Sequence, residues 1–271
     1  MAEMDKRPIG MMDSGLGGLS VLRVLQKEMP GESLIFVGDQ GHFPYGTKSQ
    51  AEIRQLALAV GRFLQEKGAK MMVVACNTAT AAALPTLQKQ LSIPVIGVIK
   101  PGAQAALASG AQTIGVIGTE STIKNGAYDH AIKDLTTANI RVVSQAAQPL
   151  VSIVEHGQTG TVAAQRTVDQ ELAPLKGQGV QTLVLGCTHF PFLKKEIEHT
   201  LGPAVKLVDP AFETVKHVQA ALKVSDGENT GRAPVVELYT TGKTTDLVNG
   251  AQLWLGGQYD SCSHIDLEVT R

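Results

Sequence analysis

The sequence predicts an α/β chain of two similar units with mostly parallel strands, because short apolar runs of strand length alternate along it with helical patterns. Two further observations support that class. Residues 71–79 and 183–191 are near copies, each an apolar run that stops at a small residue and is followed by a cysteine, a threonine and a helix-like segment. The Ile-Gly-apolar-apolar pattern of residues 9–12 returns at residues 114–117, and the span from Gly10 to Cys76 is close to that from Gly115 to Cys187. The two units are therefore pseudosymmetric, each ending in a cysteine strand.

Taken in order, residues 9–13 form a first buried strand, and Ser14-Gly15-Leu16-Gly17-Gly18-Leu19-Ser20 turns it into a helix with Val21, Leu22, Val24 and Leu25 on one face. The turn lacks the third glycine of a dinucleotide fingerprint, where Ser20 stands, and the lysine of a P-loop. It reads as tight strand–helix packing whose free amides make a carboxylate site, with Asp13 looking into it. Residues 34–38 are a second strand, followed by a loop that contains Pro44-Tyr45-Gly46 and by a helix with a Ser49/Glu52 capping box. The Pro-Tyr-Gly turn lies on the ligand side and can offer backbone groups to a substrate.

After the first cysteine strand come an Ala-rich helix at 78–91, a strand at 94–98 and a small-residue helix through Ala108. The strand at 113–118 leads into Thr119 and Thr122, which occupy in the second unit the place of Asp13-Ser14 in the first. Their hydroxyls can hold a small polar ligand, and helix capping is the plain alternative. A strand at 140–143 and helices at 150–156 and 161–175 precede the second cysteine strand. Beyond it lie a short strand at 205–208, a helix start at Asp209-Pro210, a polar loop at 225–234, a strand at 235–240 and a helix at 247–255. This tail is too short for a domain and is expected to return to the first unit. Residues 1–98 with 209–271 then form the domain that carries Cys76, and residues 99–208 the domain that carries Cys187.

Composition narrows the function. Of 271 residues, 43% are hydrophobic and 18% charged, which excludes a disordered chain, and a net charge of -1 removes the electrostatic case for nucleic acid. No apolar run reaches the roughly 18 residues of a membrane span, and the first residues lack the apolar core of a signal peptide, so a cytoplasmic protein with a small-molecule partner is expected. Three cysteines are too few for a disulfide framework, and Cys262, in a polar run, reads as a bystander.

Two thiols facing one ligand suit proton transfer at carbon. Inverting a stereocentre needs a base on each face, the two in opposite protonation states. A helix N-terminus, worth up to about 1–2 kcal/mol, should bring a thiol from about 8.5 toward neutrality. Either cysteine alone is more simply a small buried hydrophobe; two in matching surroundings reverse that judgement. Cys187 and His189 lack the further ligands of a zinc site, a Cys-His hydrolase leaves Cys76 unexplained, and a redox pair would be expected as Cys-x-x-Cys.

The motifs Asp13 to Leu19, Pro44-Tyr45-Gly46, Ala75-Cys76-Asn77-Thr78-Ala79, Gly118-Thr119 with Thr122, and Gly186-Cys187-Thr188-His189-Phe190-Pro191 span most of residues 9–210. In them the chain resembles the bacterial glutamate racemases, of the cofactor-independent amino-acid racemase superfamily. That resemblance implies two three-layer α/β domains facing across a cleft that holds the active site. It also implies interconversion of L- and D-glutamate for peptidoglycan without pyridoxal phosphate or metal, and a homodimer. By the same resemblance Cys76 takes the α-proton of D-glutamate and Cys187 that of L-glutamate. Asp13 is matched with Cys76 and His189 with Cys187, and Glu155 orients His189. Ser14, Pro44, Tyr45, Gly46, Asn77, Thr78, Thr119, Thr122 and Thr188 match substrate-binding positions. A racemase for aspartate and a non-catalytic amino-acid-binding protein are the competing expectations.

Overall fold

The computed structural model describes residues 5–224, 229 and 234–269. Among them the strands are, in chain order, β1 (Ile9–Asp13), β2 (Leu34–Gly38), β3 (Met71–Val74), β4 (Val95–Gly97), β5 (Thr113–Gly118), β6 (Arg141–Ala146), β7 (Thr182–Gly186), β8 (Lys206–Val208), β9 (Val236–Thr240) and β10 (Ser261–His264). They form two sheets, ordered β10-β9-β2-β1-β3-β4 and β6-β5-β7-β8, with every pairing parallel. The order β2-β1-β3-β4 of the first sheet recurs as β6-β5-β7-β8 in the second, so the weak sequence symmetry is a symmetry of topology. In such an order the connections leave β1 and β5 in opposite directions, which opens a crevice at the C-terminal ends of the strands. Cys76 follows β3 and Cys187 follows β7, at equivalent places.

Side-chain alternation explains why these strands read as continuous apolar runs. In the first sheet Ile9, Met11, Leu34, Phe36, Met71 and Val73 face one core. Met12, Ile35, Val37, Met72 and Val74 face the other. The helices Leu19–Glu28, Pro210–Val224 and Thr244–Leu255 cover one face, and Gln50–Glu66 and Asn77–Gln90 the other. In the second sheet Leu183 and Leu185 pack under Pro149–Glu155, Val162–Leu172 and Lys194–Leu201, while Ile114, Val116 and Val184 pack under Ile99–Leu107 and Ala127–Leu135. Each sheet is thus the middle of three layers.

Local signals resolve unevenly. Ser49 accepts the Glu52 amide at 3.2 Å, but the Glu52 carboxylate is taken by Lys48 at 2.7 Å, so half of the expected capping box forms. Asp209 caps the helix from Pro210 by accepting the Ala211 amide at 3.0 Å. The helix expected over 161–175 ends at Leu172 and tightens into a 3-10 turn, Ala173–Leu175, where Pro174 cannot continue it. Cys262 lies in an edge strand that pairs with β9, and its polar, exposed neighbours conceal that strand in the sequence. The loop expected at 225–234 falls largely outside the described residues. No helix among the described residues is long and apolar enough to cross a membrane.

Candidate active site

Strand ends place the site. Ser14 after β1 and Cys76 after β3 reach one narrow cavity, joined by Pro44, Tyr45 and Gly46 from the loop after β2 and by Asn77 and Thr78 from the first turn of the helix Asn77–Gln90. Thr119 after β5 and Cys187, Thr188 and His189 after β7 supply the other wall. The two sulfurs therefore share a space that they approach from different sheets. That space is about 10 Å³, on the order of one water molecule.

Hydrogen bonds hold each wall. Asp39, fully buried at the end of β2, accepts from Tyr45 Oη at 2.5 Å and Thr241 Oγ1 at 2.6 Å, and meets His42 Nδ1 at 2.8 Å. It fastens the Pro-Tyr-Gly loop to the end of β9. Thr78, Thr119 and Thr122 form a triangle of hydroxyls, with Thr78 Oγ1 2.9 Å from Thr119 and 3.2 Å from Thr122. Thr119 also caps its helix by accepting the Thr122 amide. Asn77 Oδ1 accepts from the buried Tyr128 hydroxyl at 2.7 Å, which fixes the amide at the cavity.

At the second thiol, Cys187 Sγ is 3.5 Å from His189 Nδ1, and Nε2 of the same ring makes a very short contact with Glu155. At the first, Cys76 donates to Ser14 Oγ at 3.6 Å and accepts the Ala79 amide at 3.4 Å as the cap of its helix. The glycine-rich turn is not a free carboxylate site. Its Gly15 amide goes to Asp13 and its Leu16 amide to Glu155, so the protein's own carboxylates fill it.

Burial reorders the expected acidities. Cys76 is pushed up to about 12, because desolvation and the nearby Asp13 charge outweigh the helix amide and Ser14. The expectation of a near-neutral thiol at Cys76 is thus overturned: a helix terminus worth about 1–2 kcal/mol does not offset burial of the sulfur. Asp13 is raised to about 6 by desolvation, which the His189 charge, the Gly15 amide and the Thr188 hydroxyl only partly counter. For His189, burial disfavours the cation, yet the Cys187 sulfur and Glu155 together hold the ring well above the usual histidine range. Tyr45 is raised well above an ordinary phenol by burial and Asp39, so it stays neutral.

Three expected residues stand one layer behind the cavity. Asp13 reaches it through Thr188, whose hydroxyl it accepts at 3.0 Å; Glu155 reaches it through His189; and Thr122 through Thr78 and Thr119. Phe43, Gln148 and Val151 line it without having been singled out in the sequence. Asp39 was also missed, although its place directly after a parallel strand, like that of Asp13, marks the ligand side.

The pattern that defines Asp/Glu/Hydantoin racemases matches residues 9–218. A glutamate racemase of Limosilactobacillus reuteri is 60% identical over 264 residues, covering 97% of this chain and 98% of that one. Among solved structures, a glutamate racemase from Bacillus anthracis superimposes with a TM-score of 0.93 at 38% identity over 97% of this chain and 99% of the other. One from Francisella tularensis, in complex with D-glutamate, gives 0.90 at 33% identity over 97% and 98%. Paired thiols at equivalent strand ends and similarity over nearly the full length agree, and the chain belongs to the Asp/Glu/Hydantoin racemase family, among its glutamate racemases.

Proposed function

We propose that this protein interconverts L- and D-glutamate, with Cys76 and Cys187 as the acid–base pair, and so supplies D-glutamate for peptidoglycan. The observation that carries the proposal is that both sulfurs line one cavity from different sheets. A thiolate on one side removes the α-proton while the thiol on the other delivers a proton to the opposite face. The carbanion is planar and short-lived, and its charge spreads onto the α-carboxylate.

His189, whose cation Glu155 favours, stands 3.5 Å from Cys187 Sγ, and burial holds Cys76 toward the thiol. That pair takes the proton from L-glutamate with Cys187 and returns one from Cys76, and the reverse assignment serves D-glutamate. Asp13, held at about 6, relays protons on the Cys76 side. Asn77, Thr78 and Thr119 bind the α-carboxylate, with Thr122 behind them. Thr188, with Asp13 behind it, meets the ammonium, while Ser14 and the Pro44-Tyr45-Gly46 turn face the side chain. Residues 1–98 with 209–271 act as one domain and 99–208 as the other, parting to admit substrate. A reducing cytoplasm suits two working thiols. The homodimer rests on the resemblance to the family, and sedimentation of the purified chain tests it.

Incubation of the purified protein with L-glutamate in heavy water, without added cofactor, should yield D-glutamate with deuterium at the α-carbon. Cys76→Ala and Cys187→Ala should each abolish this while leaving the thermal transition in place. Aspartate in the same assay should react far more slowly. Binding of glutamate with no exchange would instead favour a receptor, and near-normal turnover in either variant would remove that thiol from the mechanism.

A further inference from the structure

Gln148, the residue before the helix Pro149–Glu155, lines the cavity of the two thiols, and its Oε1 is buried without a hydrogen-bond partner. A buried amide oxygen left unpaired is costly, and such a group in a binding cavity calls for a reason. The amide rests on the Tyr45-Gly46 turn: a Cβ on Gly46 would stand 2.4 Å from Oε1, so only glycine lets the two meet. No protein partner holds the amide one way round, and its last torsion has two broad settings, so half a turn exchanges Oε1 for Nε2 at the same spot.

We propose that Gln148 is a specificity residue that binds the distal carboxylate of glutamate through Nε2. The inference rests on the racemase reading above. Glutamate brings three polar groups. The ammonium is matched by Thr188 with the Asp13 charge behind it, and the α-carboxylate by Asn77, Thr78 and Thr119. His189, the cation at this cavity, is committed to Cys187 and Glu155. A second carboxylate therefore needs neutral donors, and beside the Ser14 hydroxyl the uncommitted ones lie together: the Tyr45 and Gly46 amides, which donate to no other group among the described residues, and the Gln148 amide lying on them. Gln148 comes from the second sheet's half of the chain and the turn from the first. Its bond to the carboxylate forms only when the walls have closed, which couples recognition of the side chain to assembly of the two thiols.

Gln148→Glu and Gln148→Leu test this, the first keeping shape while replacing the donor by a negative charge. Turnover and calorimetric binding of glutamate are measured together with the melting transition. KM and Kd should rise on the order of tenfold for Leu and about a hundredfold for Glu, with kcat within about threefold of the parent, because the amide lies away from the α-carbon. Unchanged affinity in Gln148→Leu, or affinity kept or improved in Gln148→Glu as an ammonium contact would give, overturns the proposal. A parent protein that binds glutamate without racemising it would refute the racemase reading alone, since the binding measurements still decide the role of Gln148. A parent that does not bind glutamate refutes both.

Discussion

Thr188 Oγ1 donates to Asp13 Oδ2 at 3.0 Å, a bond between the ends of β7 and β1 that joins the two sheets at the site. Ser20 Oγ donates to the Thr188 carbonyl at 3.1 Å and adds a second tie at the same residue. The contact between the walls and the setting of the Asp13 charge therefore share one hydroxyl. The same hydroxyl that bridges the two sheets lowers the Asp13 pKa against burial.

Thr188→Val should separate these roles from simple packing. Without the hydroxyl Asp13 is left with burial less opposed and moves above its present value of about 6. The acidic limb of the kcat profile should shift to higher pH, with kcat/KM down on the order of tenfold at neutral pH. A profile with an unmoved acidic limb would detach Asp13 from the reaction.

Asp13→Asn should stabilise the protein while damaging it as an enzyme. The carboxyl titrates at about 6 in the fold against an ordinary 3.8, so its contribution to stability is complete below pH 3.8 and is lost as the pH rises through 6. Above pH 6 the charged group burdens the fold by about 3 kcal/mol. Asparagine keeps an acceptor for Gly15, can turn its amide N–H to the Thr188 hydroxyl oxygen with that bond reversed, and carries no charge. Its melting temperature should exceed the parent's at pH 7–8 and approach it near pH 4, a convergence that differential scanning calorimetry can follow. A gain independent of pH would assign the effect elsewhere.

Glu155→Gln should act through His189. Glu155 helps keep the imidazole cationic, so its loss lowers the ring's pKa and moves the alkaline limb of the rate profile to lower pH. A decrease in kcat/KM of about a hundredfold is expected, within the range of general acid–base assistance. Enantiomers have equal free energy in water, so kcat/KM must fall by the same factor for L- and D-glutamate, and any asymmetry has to appear in kcat and KM separately. Unequal changes in kcat/KM would point to a fault in the assay rather than to the site.

The sheets were legible because parallel strands buried on both faces announce themselves as apolar runs, and both cysteines stood at the ends of such runs. Asp39 and Gln148 were not, because what they do depends on partners far away in the chain: Thr241 for one, Gly46 for the other. The acidity of Cys76 is not legible for a related reason. A helix terminus is visible in sequence, whereas the depth to which a second half buries the sulfur is not. β10 is not legible since Ser261, Cys262, Ser263 and His264 give an edge strand no apolar signature.

The glycine-rich turn takes its meaning from the same cross-sheet closure, and Gly17→Ala tests it. A Cβ at residue 17 would stand 2.4 Å from Thr188 Oγ1 and 2.6 Å from His189 Nδ1. Those atoms belong to the groups that tie the walls and support Cys187, so the alanine must push them or hold the halves apart. Overpacking of this kind costs about 1–3 kcal/mol, and a displacement of about 1 Å at reacting groups can cost on the order of a hundredfold in rate. The variant should fold with a modestly lowered melting temperature, bind glutamate weakly and lose about two orders of magnitude in kcat/KM. Substrate-dependent deuterium exchange at the α-carbon should fall in parallel, since both thiols must reach the carbon together. Near-parent kinetics would show that the walls need not meet as closely as Gly17 allows.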